Sequence, residues 1–137
     1  FVSSKKIMDS LQTDPVLGHI TTFGGHPVCC AAGLAAFRYL KENNIVAEVE
    51  RKGALYEELL KDNPAVVEIR RSGLLLAVEL GSEERLFKVM ELFKEEGIMS
   101  DWFLYCATAF RISPPLVISD EEIRESVEII RRVLDKL

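Results

Sequence analysis

The sequence predicts an α+β fold in which helices pack on a small, mostly antiparallel sheet. Segments of helical period at about 46–61 and 82–96 enclose two shorter apolar runs, at 66–71 and 74–80. The apolar runs have the length of strands, and glycine separates them as in a tight turn. With 48% hydrophobic residues, a chain of 137 residues can bury one substantial core. We therefore expect residues 45–137 to form one α+β domain.

Three further elements complete this domain. The runs 98–103 and 108–112 predict two more short strands. A last helix is expected to start at Ser119, because Ser119 and Glu122 have the spacing of a capping box.

The first part of the chain is predicted to have a different organisation. Residues 1–4 have the pattern of a strand end, residues 5–11 that of a short helix, and Asp14-Pro15 that of a turn. A long helix is expected from Pro27 to about Asn43, because proline suits the first helical position. This helix is apolar on nearly every side, so we expect it to be buried against more than one neighbour. The sequence reads as if it begins inside a domain.

Composition and charge exclude several classes of function. The net charge is -5 and no basic tract is present, which argues against a nucleic-acid partner. Every apolar run is shorter than the roughly 20 residues that span a bilayer, and the first residues lack the layout of a signal peptide. We expect a cytoplasmic protein without a membrane partner.

The three cysteines, Cys29, Cys30 and Cys106, form no CxxC pair and are expected to be reduced thiols. A metal site made of His19, His26, Cys29 and Cys30 lacks the second well-spaced ligand pair that is typical of zinc sites. Small buried core residues are the preferred interpretation of Cys29 and Cys30, and no metal is predicted.

The run 19–27 has the chemistry of an anion-binding turn. Two threonine hydroxyls and a Gly-Gly pair precede the positive end of a helix dipole, which suits a phosphate or a carboxylate. A tight connection into the helix is the alternative interpretation.

Three sequence blocks resemble the class III (ornithine/acetylornithine-type) aminotransferases, which depend on pyridoxal 5'-phosphate. The run TTFGGHPVCCAAGLA from Thr21 resembles the T-[TS]-[FY]-G-G-N-P segment of that family and the alanine-rich helix after it. The blocks RSGLLLAVEL (71–80) and AFRISPPL (109–116) resemble a family strand and a segment near the family's C-terminus. The blocks occur in the expected order and cover nearly the whole chain.

The resemblance implies that this chain is the C-terminal third of a fold-type I enzyme. Residues 1–44 would end the large cofactor domain and form the interdomain helix, and residues 45–137 would be the C-terminal small domain. The complete enzyme would exchange an amino group between an amino acid and a 2-oxo acid, and would work as a homodimer with shared sites. Ornithine, acetylornithine, lysine and 4-aminobutyrate are the candidate donors.

The same resemblance implies the site residues. Thr22 matches the threonine that binds the cofactor phosphate of the neighbouring subunit, while Thr21 either shares this contact or satisfies the turn. Gly24 and Gly25 would let the backbone pass close to the partner subunit. His26 departs from the family, which usually has Asn or Asp there, although a neutral imidazole can also cap a helix.

Arg111 matches an arginine that recognises a substrate carboxylate. A guanidinium can bind a carboxylate with two parallel hydrogen bonds. Pairing with a structural acid such as Glu79 is the alternative for Arg111. The aromatic residues Trp102, Phe103 and Tyr105 are interpreted either as an apolar wall for a substrate chain or, as is commoner for strand aromatics, as core.

No catalytic residue is assigned within this chain. The Schiff-base lysine of the family has no counterpart here, because neither Lys5 nor Lys6 lies in a matching motif. We therefore expect these residues alone to be inactive. Two alternatives remain: a free-standing, non-catalytic α+β module for binding or oligomerisation, and a related mutase or decarboxylase on the same scaffold.

Overall fold

A computed structural model of the chain describes residues 3–11 and 21–137. The chain divides into two compact units, Phe1–Glu42 and Asn43–Leu137.

The first unit contains helix α1 (Lys5–Met8), a 3-10 turn (Asp9–Leu11) and helix α2 (Pro27–Glu42). The helix expected at 5–11 is thus confirmed as α1 with the turn that follows it. Ser4 does not belong to a strand: its hydroxyl accepts a hydrogen bond from the Ile7 amide and caps α1. Residues 1 and 2 and the turn expected at Asp14-Pro15 lie outside the described residues.

Helix α2 begins at Pro27, as predicted, but its burial is not as predicted. None of its side chains is buried, and Val28, Leu34, Phe37 and Tyr39 are exposed. Among the described residues, those that form the core lie at position 45 and beyond. An apolar sequence indicates that a helix face needs cover but does not say what covers it.

The second unit has the mixed helix and sheet composition of the predicted α+β fold. It contains helices α3 (Ile45–Leu60), α4 (Glu83–Glu95) and α5 (Asp120–Leu134) and four strands. The strands are β1 (Glu68–Ser72), β2 (Leu75–Glu79), β3 (Asp101–Phe103) and β4 (Cys106–Ile112). They form one sheet in the order β1-β2-β4-β3, with antiparallel pairing throughout.

The register of the sheet separates two faces, because successive side chains of a strand point to opposite sides. Val78 pairs with Ile69 and Phe110, and Leu76 with Ile112. Leu76, Val78, Phe110 and Ile112 belong to the core, and Ile69 packs against it. Phe110 meets Phe93 of α4 edge to face at 5.2 Å between ring centroids. We call this side the helix-covered face and the other side the open face.

The end of α4 shortens the strand that was expected at 98–103. Gly97 has a left-handed backbone (φ 78°), and the Ile98 amide donates to the Phe93 carbonyl at 2.8 Å. Ile98 therefore completes the C-terminal cap of the helix, and only Asp101–Phe103 pairs with β4.

The capping box at the start of α5 is confirmed. The Glu122 amide donates to Ser119 Oγ at 3.2 Å, and the Ser119 amide donates to Glu122 Oε2 at 2.7 Å. The hydrogen bond from the Ser119 backbone holds the pKa of Glu122 below its usual value. This contribution to stability is present above the unfolded-state pKa of Glu122 and is lost as the pH falls through the folded-state pKa.

Candidate functional site

Arg111 lies on the open face of the sheet. It pairs with Ala77 on β2 and with Asp101 on β3, and Ala77 pairs in turn with Arg70 on β1. These four residues form a row across the sheet, and residues in register share a face. The Arg111 side chain remains 38% exposed, because its neighbour Ala77 has only a methyl group. The guanidinium is therefore accessible to a ligand.

The partner of Arg111 is Asp101 and not Glu79, so the alternative considered from the sequence, a pairing of Arg111 with an acid, is met by a different residue. Arg111 Nη2 donates to Asp101 Oδ2 at 3.2 Å, and Asp101 is 53% exposed. The other carboxylate oxygen, Asp101 Oδ1, accepts from the Trp102 amide at 2.9 Å. Ser100 Oγ donates to the Arg111 carbonyl at 2.7 Å. The Asp101 side chain and the hydrogen bond from Ser100 to the Arg111 backbone together hold β3 beside Arg111.

A register shift creates this pair. Phe103 pairs with Cys106, whereas Trp102 pairs with Phe110 and Asp101 with Arg111. Without the shift, Asp101 would lie opposite Thr108. Bulges of this kind are known to redirect side chains next to functional sites, and sequence reasoning missed Asp101 for this reason.

Glu79 is the partner of Arg70, farther along the open face. Arg70 Nη2 donates to Glu79 Oε2 at 3.2 Å, and the Gly81 amide donates to Glu79 Oε1 at 3.1 Å. Burial acts to raise the pKa of Glu79, but hydrogen bonds from Thr108, Gly81, Arg70 and Cys106 outweigh it and hold that pKa below its usual value. Arg70 also forms an ion pair with Glu68, so its guanidinium contacts two carboxylates.

The three aromatic residues before Arg111 divide between the two faces. Trp102 packs edge to face on Phe87 of α4, 5.5 Å between ring centroids, and it shares the helix-covered face with its partner Phe110. It is therefore not part of a wall beside Arg111. Phe103 and the 97%-exposed Tyr105 line a shallow cavity of about 450 Å³, together with Arg70, Ala77, Leu104 and Cys106. The core interpretation is wrong for Tyr105.

A larger cavity of about 530 Å³ includes Phe93, Phe110, Ile112 and Ile130, which belong to the helix-covered side of the domain. Tyr56 and Ser126 also line it and hydrogen-bond to each other at 2.9 Å. Ser100, Asp101 and Arg111 line this cavity as well, although the alternation of β4 directs the Arg111 side chain to the face opposite Phe110 and Ile112.

The second candidate site is the turn that precedes α2. Thr21 and Thr22 are exposed, and Gly25 has a left-handed backbone (φ 75°). A Cβ at Gly24 would overlap the Thr21 hydroxyl oxygen, so Thr21 packs within the turn. Thr22 remains exposed beside the helix start. Thr21 and Thr22 belong to the first unit, whereas Arg111 belongs to the second. His19 lies outside the described residues.

His26 caps α2, as the sequence permitted. The Val28 amide donates to His26 Nδ1 at 3.3 Å, and the Cys30 amide donates to the His26 carbonyl at 2.9 Å. The imidazole thus satisfies one of the amides that a helix start leaves without a partner.

Replacing His26 by alanine is expected to weaken the start of α2 by about 1 kcal/mol, because the Val28 amide loses its acceptor. Asparagine at this position should keep the cap. Amide hydrogen exchange in the first turn of α2 measures both, and equal exchange in the wild type and the alanine variant would contradict the capping role.

The cysteines of α2 are not core residues. Cys29 and Cys30 are exposed and Cys106 is half-buried, and all three are free thiols. The prediction of buried cysteines is wrong for the same reason as the predicted burial of α2. Within residues 3–11 and 21–137, no group of three or more His, Cys, Asp or Glu side chains could hold a metal ion. No helix in this part of the chain has the length and apolarity needed to cross a membrane.

Comparison with known proteins decides the family. The family model Aminotransferase class-III matches residues 1–134. The chain belongs to the class III aminotransferases. Among the relatives of this class III chain is the acetylornithine aminotransferase of Haemophilus ducreyi, 31% identical over 137 residues, which are 100% of this chain and 33% of the relative. The acetylornithine aminotransferase of Corynebacterium efficiens is 38% identical over 119 residues, 87% of this chain and 29% of the relative.

Solved aminotransferase structures share the fold of this class III chain. The ornithine aminotransferase of Toxoplasma gondii, whose active site holds pyridoxal phosphate at partial occupancy, is 35% identical with a TM-score of 0.70, over 93% of this chain and 31% of that one. A transaminase from the marine bacterium Virgibacillus is 27% identical with a TM-score of 0.79, over 98% and 34% of the two chains. The chain thus spans about one third of the length of the curated relatives it matches.

Proposed function

We propose that the full-length protein transfers an amino group between an amino acid and a 2-oxo acid with pyridoxal 5'-phosphate. The observation that carries this proposal is an accessible arginine, Arg111, on the open face of a domain that belongs to the class III aminotransferases. Both substrates of such a transfer carry a carboxylate. A planar guanidinium binds this group with directional, charge-assisted hydrogen bonds.

The turn before α2 fits the phosphate of the cofactor in its chemistry. Thr22 offers an exposed hydroxyl, and the glycines Gly24 and Gly25 carry no side chain that would keep a phosphate away from the backbone. We propose that Thr22 binds the phosphate across the interface of a homodimer. Thr21 is the weaker candidate for this contact, because its hydroxyl packs against Gly24 within the turn.

The proposed mechanism assigns binding and orientation to this chain. Arg111 holds the substrate carboxylate, and β3 holds Arg111 through Asp101 and through the hydrogen bond from Ser100. Pyridoxal phosphate, when bound, supplies the electron sink that makes the amino group exchangeable.

The proposed donors are ornithine, acetylornithine, lysine and 4-aminobutyrate, and the proposed location is the cytoplasm. No residue of this chain is assigned as the Schiff-base lysine, so these 137 residues alone are expected to be inactive. A mutase or decarboxylase on the same scaffold is the second candidate function, since Arg111 would bind a carboxylate in each of them.

An assay of the full-length protein with pyridoxal phosphate, each donor and 2-oxoglutarate tests the proposal. Formation of glutamate that depends on both the donor and 2-oxoglutarate is the expected result. Release of CO₂ without 2-oxoglutarate would indicate a decarboxylase, and isomerisation of the donor a mutase. A protein that binds no cofactor and forms none of these products would be the non-catalytic module instead.

A further inference from the structure

The larger cavity of the second unit has no role in the proposed function, although Ser100, Asp101 and Arg111 are among the residues that line it. Its volume is about 530 Å³, and it lies among α3, α4, α5, β4 and the segments 98–101 and 113–118. Small-molecule sites are typically cavities of about 300–1,000 Å³ with an apolar lining and a few polar groups. This cavity has the size of such a site.

The deepest part of the cavity is apolar and uncharged. We call this part the floor, and it consists of four buried side chains, Phe93, Phe110, Ile112 and Ile130. The charged residues of the lining, Asp101 and Arg111, are partly exposed and pair with each other. A charged ligand on the floor would lose its hydration without gaining a partner. The cavity therefore favours a neutral, apolar ligand.

Tyr56 supplies a hydrogen-bond acceptor to this cavity. Ser126 Oγ donates to the Ile123 carbonyl at 2.8 Å, which uses the one hydrogen of the serine hydroxyl. The hydrogen bond of 2.9 Å between Tyr56 Oη and Ser126 Oγ is therefore donated by Tyr56. Burial raises the pKa of Tyr56, so the phenol stays neutral. Its oxygen can accept a hydrogen bond from a ligand.

We propose that this cavity binds a small, neutral aromatic molecule that donates one hydrogen bond to Tyr56 Oη. The edge-to-face pair of Phe93 and Phe110 gives the floor aromatic surface against which the ring packs. Phe110 and Ile112 flank Arg111 on β4, so the ligand lies on the reverse side of the strand that carries Arg111. This site goes beyond the proposed function and does not depend on it.

Titration of the full-length protein with indole and with benzofuran, followed by ligand-observed NMR in the presence of pyridoxal phosphate, tests this site. The two molecules have the same fused-ring shape, but benzofuran has an oxygen in place of the N–H donor. The wild type is expected to bind indole about fivefold more tightly, which is the effect of one hydrogen bond. Tyr56→Phe removes the acceptor and should reduce this preference to about twofold or less.

Tyr105→Phe is the matched control, because the Tyr105 hydroxyl is lost from an exposed residue of the other cavity. It should keep the fivefold preference. Ile118 is partly buried and lines the larger cavity, and Ile118→Trp places a fused ring there, so it should weaken both ligands at least about fivefold.

A wild type that binds no indole, or that binds indole and benzofuran equally, would overturn the inference. A preference for indole that survives in Tyr56→Phe would do the same, as would unchanged binding in Ile118→Trp, because the molecules would then bind elsewhere. Amino transfer is not measured in this titration. Its failure therefore leaves the proposed function untouched, and an inactive protein leaves the binding site untouched.

Discussion

Replacing Arg111 by lysine in the full-length protein is expected to lower kcat/KM for amino transfer about 100-fold, equivalent to about 2.7 kcal/mol. Lysine keeps the positive charge but has a single ammonium in place of the planar fork, so a carboxylate loses one of two parallel hydrogen bonds and its fixed orientation. Steady-state kinetics with varied donor measure the effect. A higher KM is expected, because the interaction binds the substrate before the reaction begins.

Arg70→Lys is the matched control for this substitution. Arg70 lies in the same row of the open face, on the other side of Ala77, but it is committed to Glu68 and Glu79. We expect its substitution to change kcat/KM less than threefold. Equal losses of kcat/KM in the two variants would show that activity depends on the integrity of the open face and not on a ligand contact of Arg111. No loss for Arg111→Lys would contradict the binding of the substrate carboxylate by Arg111.

Most of the fold of the second unit was predictable because its signals are local. The helical period indicated α3 and α4 within one or two residues of their observed bounds, and Ser119 with Glu122 indicated the start of α5 and its capping box. The strand pair β1–β2 followed from two short apolar runs around Gly73, which has the positive φ (56°) that a tight turn needs.

The partner of Arg111 was not predictable, because it depends on a register shift. The alternation of apolar and polar residues in the sequence does not show that Phe103 pairs with Cys106 while Asp101 pairs with Arg111. Asp101 is one of several acids near Arg111 in the sequence, and only the shifted register brings it within hydrogen-bond distance. Thr22 and Arg111 themselves were found through the family resemblance, and their roles remain proposals.

The exposure of α2 was not predictable for a different reason. The composition of Cys29, Cys30 and the alanines that follow them predicts a covered helix, and hydrophobicity alone does not say which part of a protein supplies the cover. Residues 45–137 form a core of their own, and no side chain of α2 is buried.

Gly53 is a position where the sequence showed only a weak signal and the structure shows a strong requirement. A glycine inside a helix usually costs about 1 kcal/mol relative to alanine, so its presence in α3 calls for a reason. Gly53 is buried, and a Cβ added to it would overlap the carbonyl group of Gly73 in the β1–β2 turn. The helix and the turn therefore meet backbone to backbone.

The Gly53→Ala substitution is expected to lower the free energy of unfolding of the second unit by about 3 kcal/mol, since overpacking a close contact costs more than helix propensity returns. The turn also contacts α3 at a second point, because the side chain of Val49 lies close to Gly73. Gly33→Ala is the matched control: Gly33 is also inside a helix, α2, but a Cβ there meets nothing within 4 Å. It should raise the stability of its helix by about 1 kcal/mol.

Urea unfolding of the Gly53 variant and hydrogen exchange in α2 of the Gly33 variant measure the two changes. The same chemical change should thus have opposite signs at the two sites, and a stabilising Gly53→Ala would show that α3 and the β1–β2 turn are not in backbone contact.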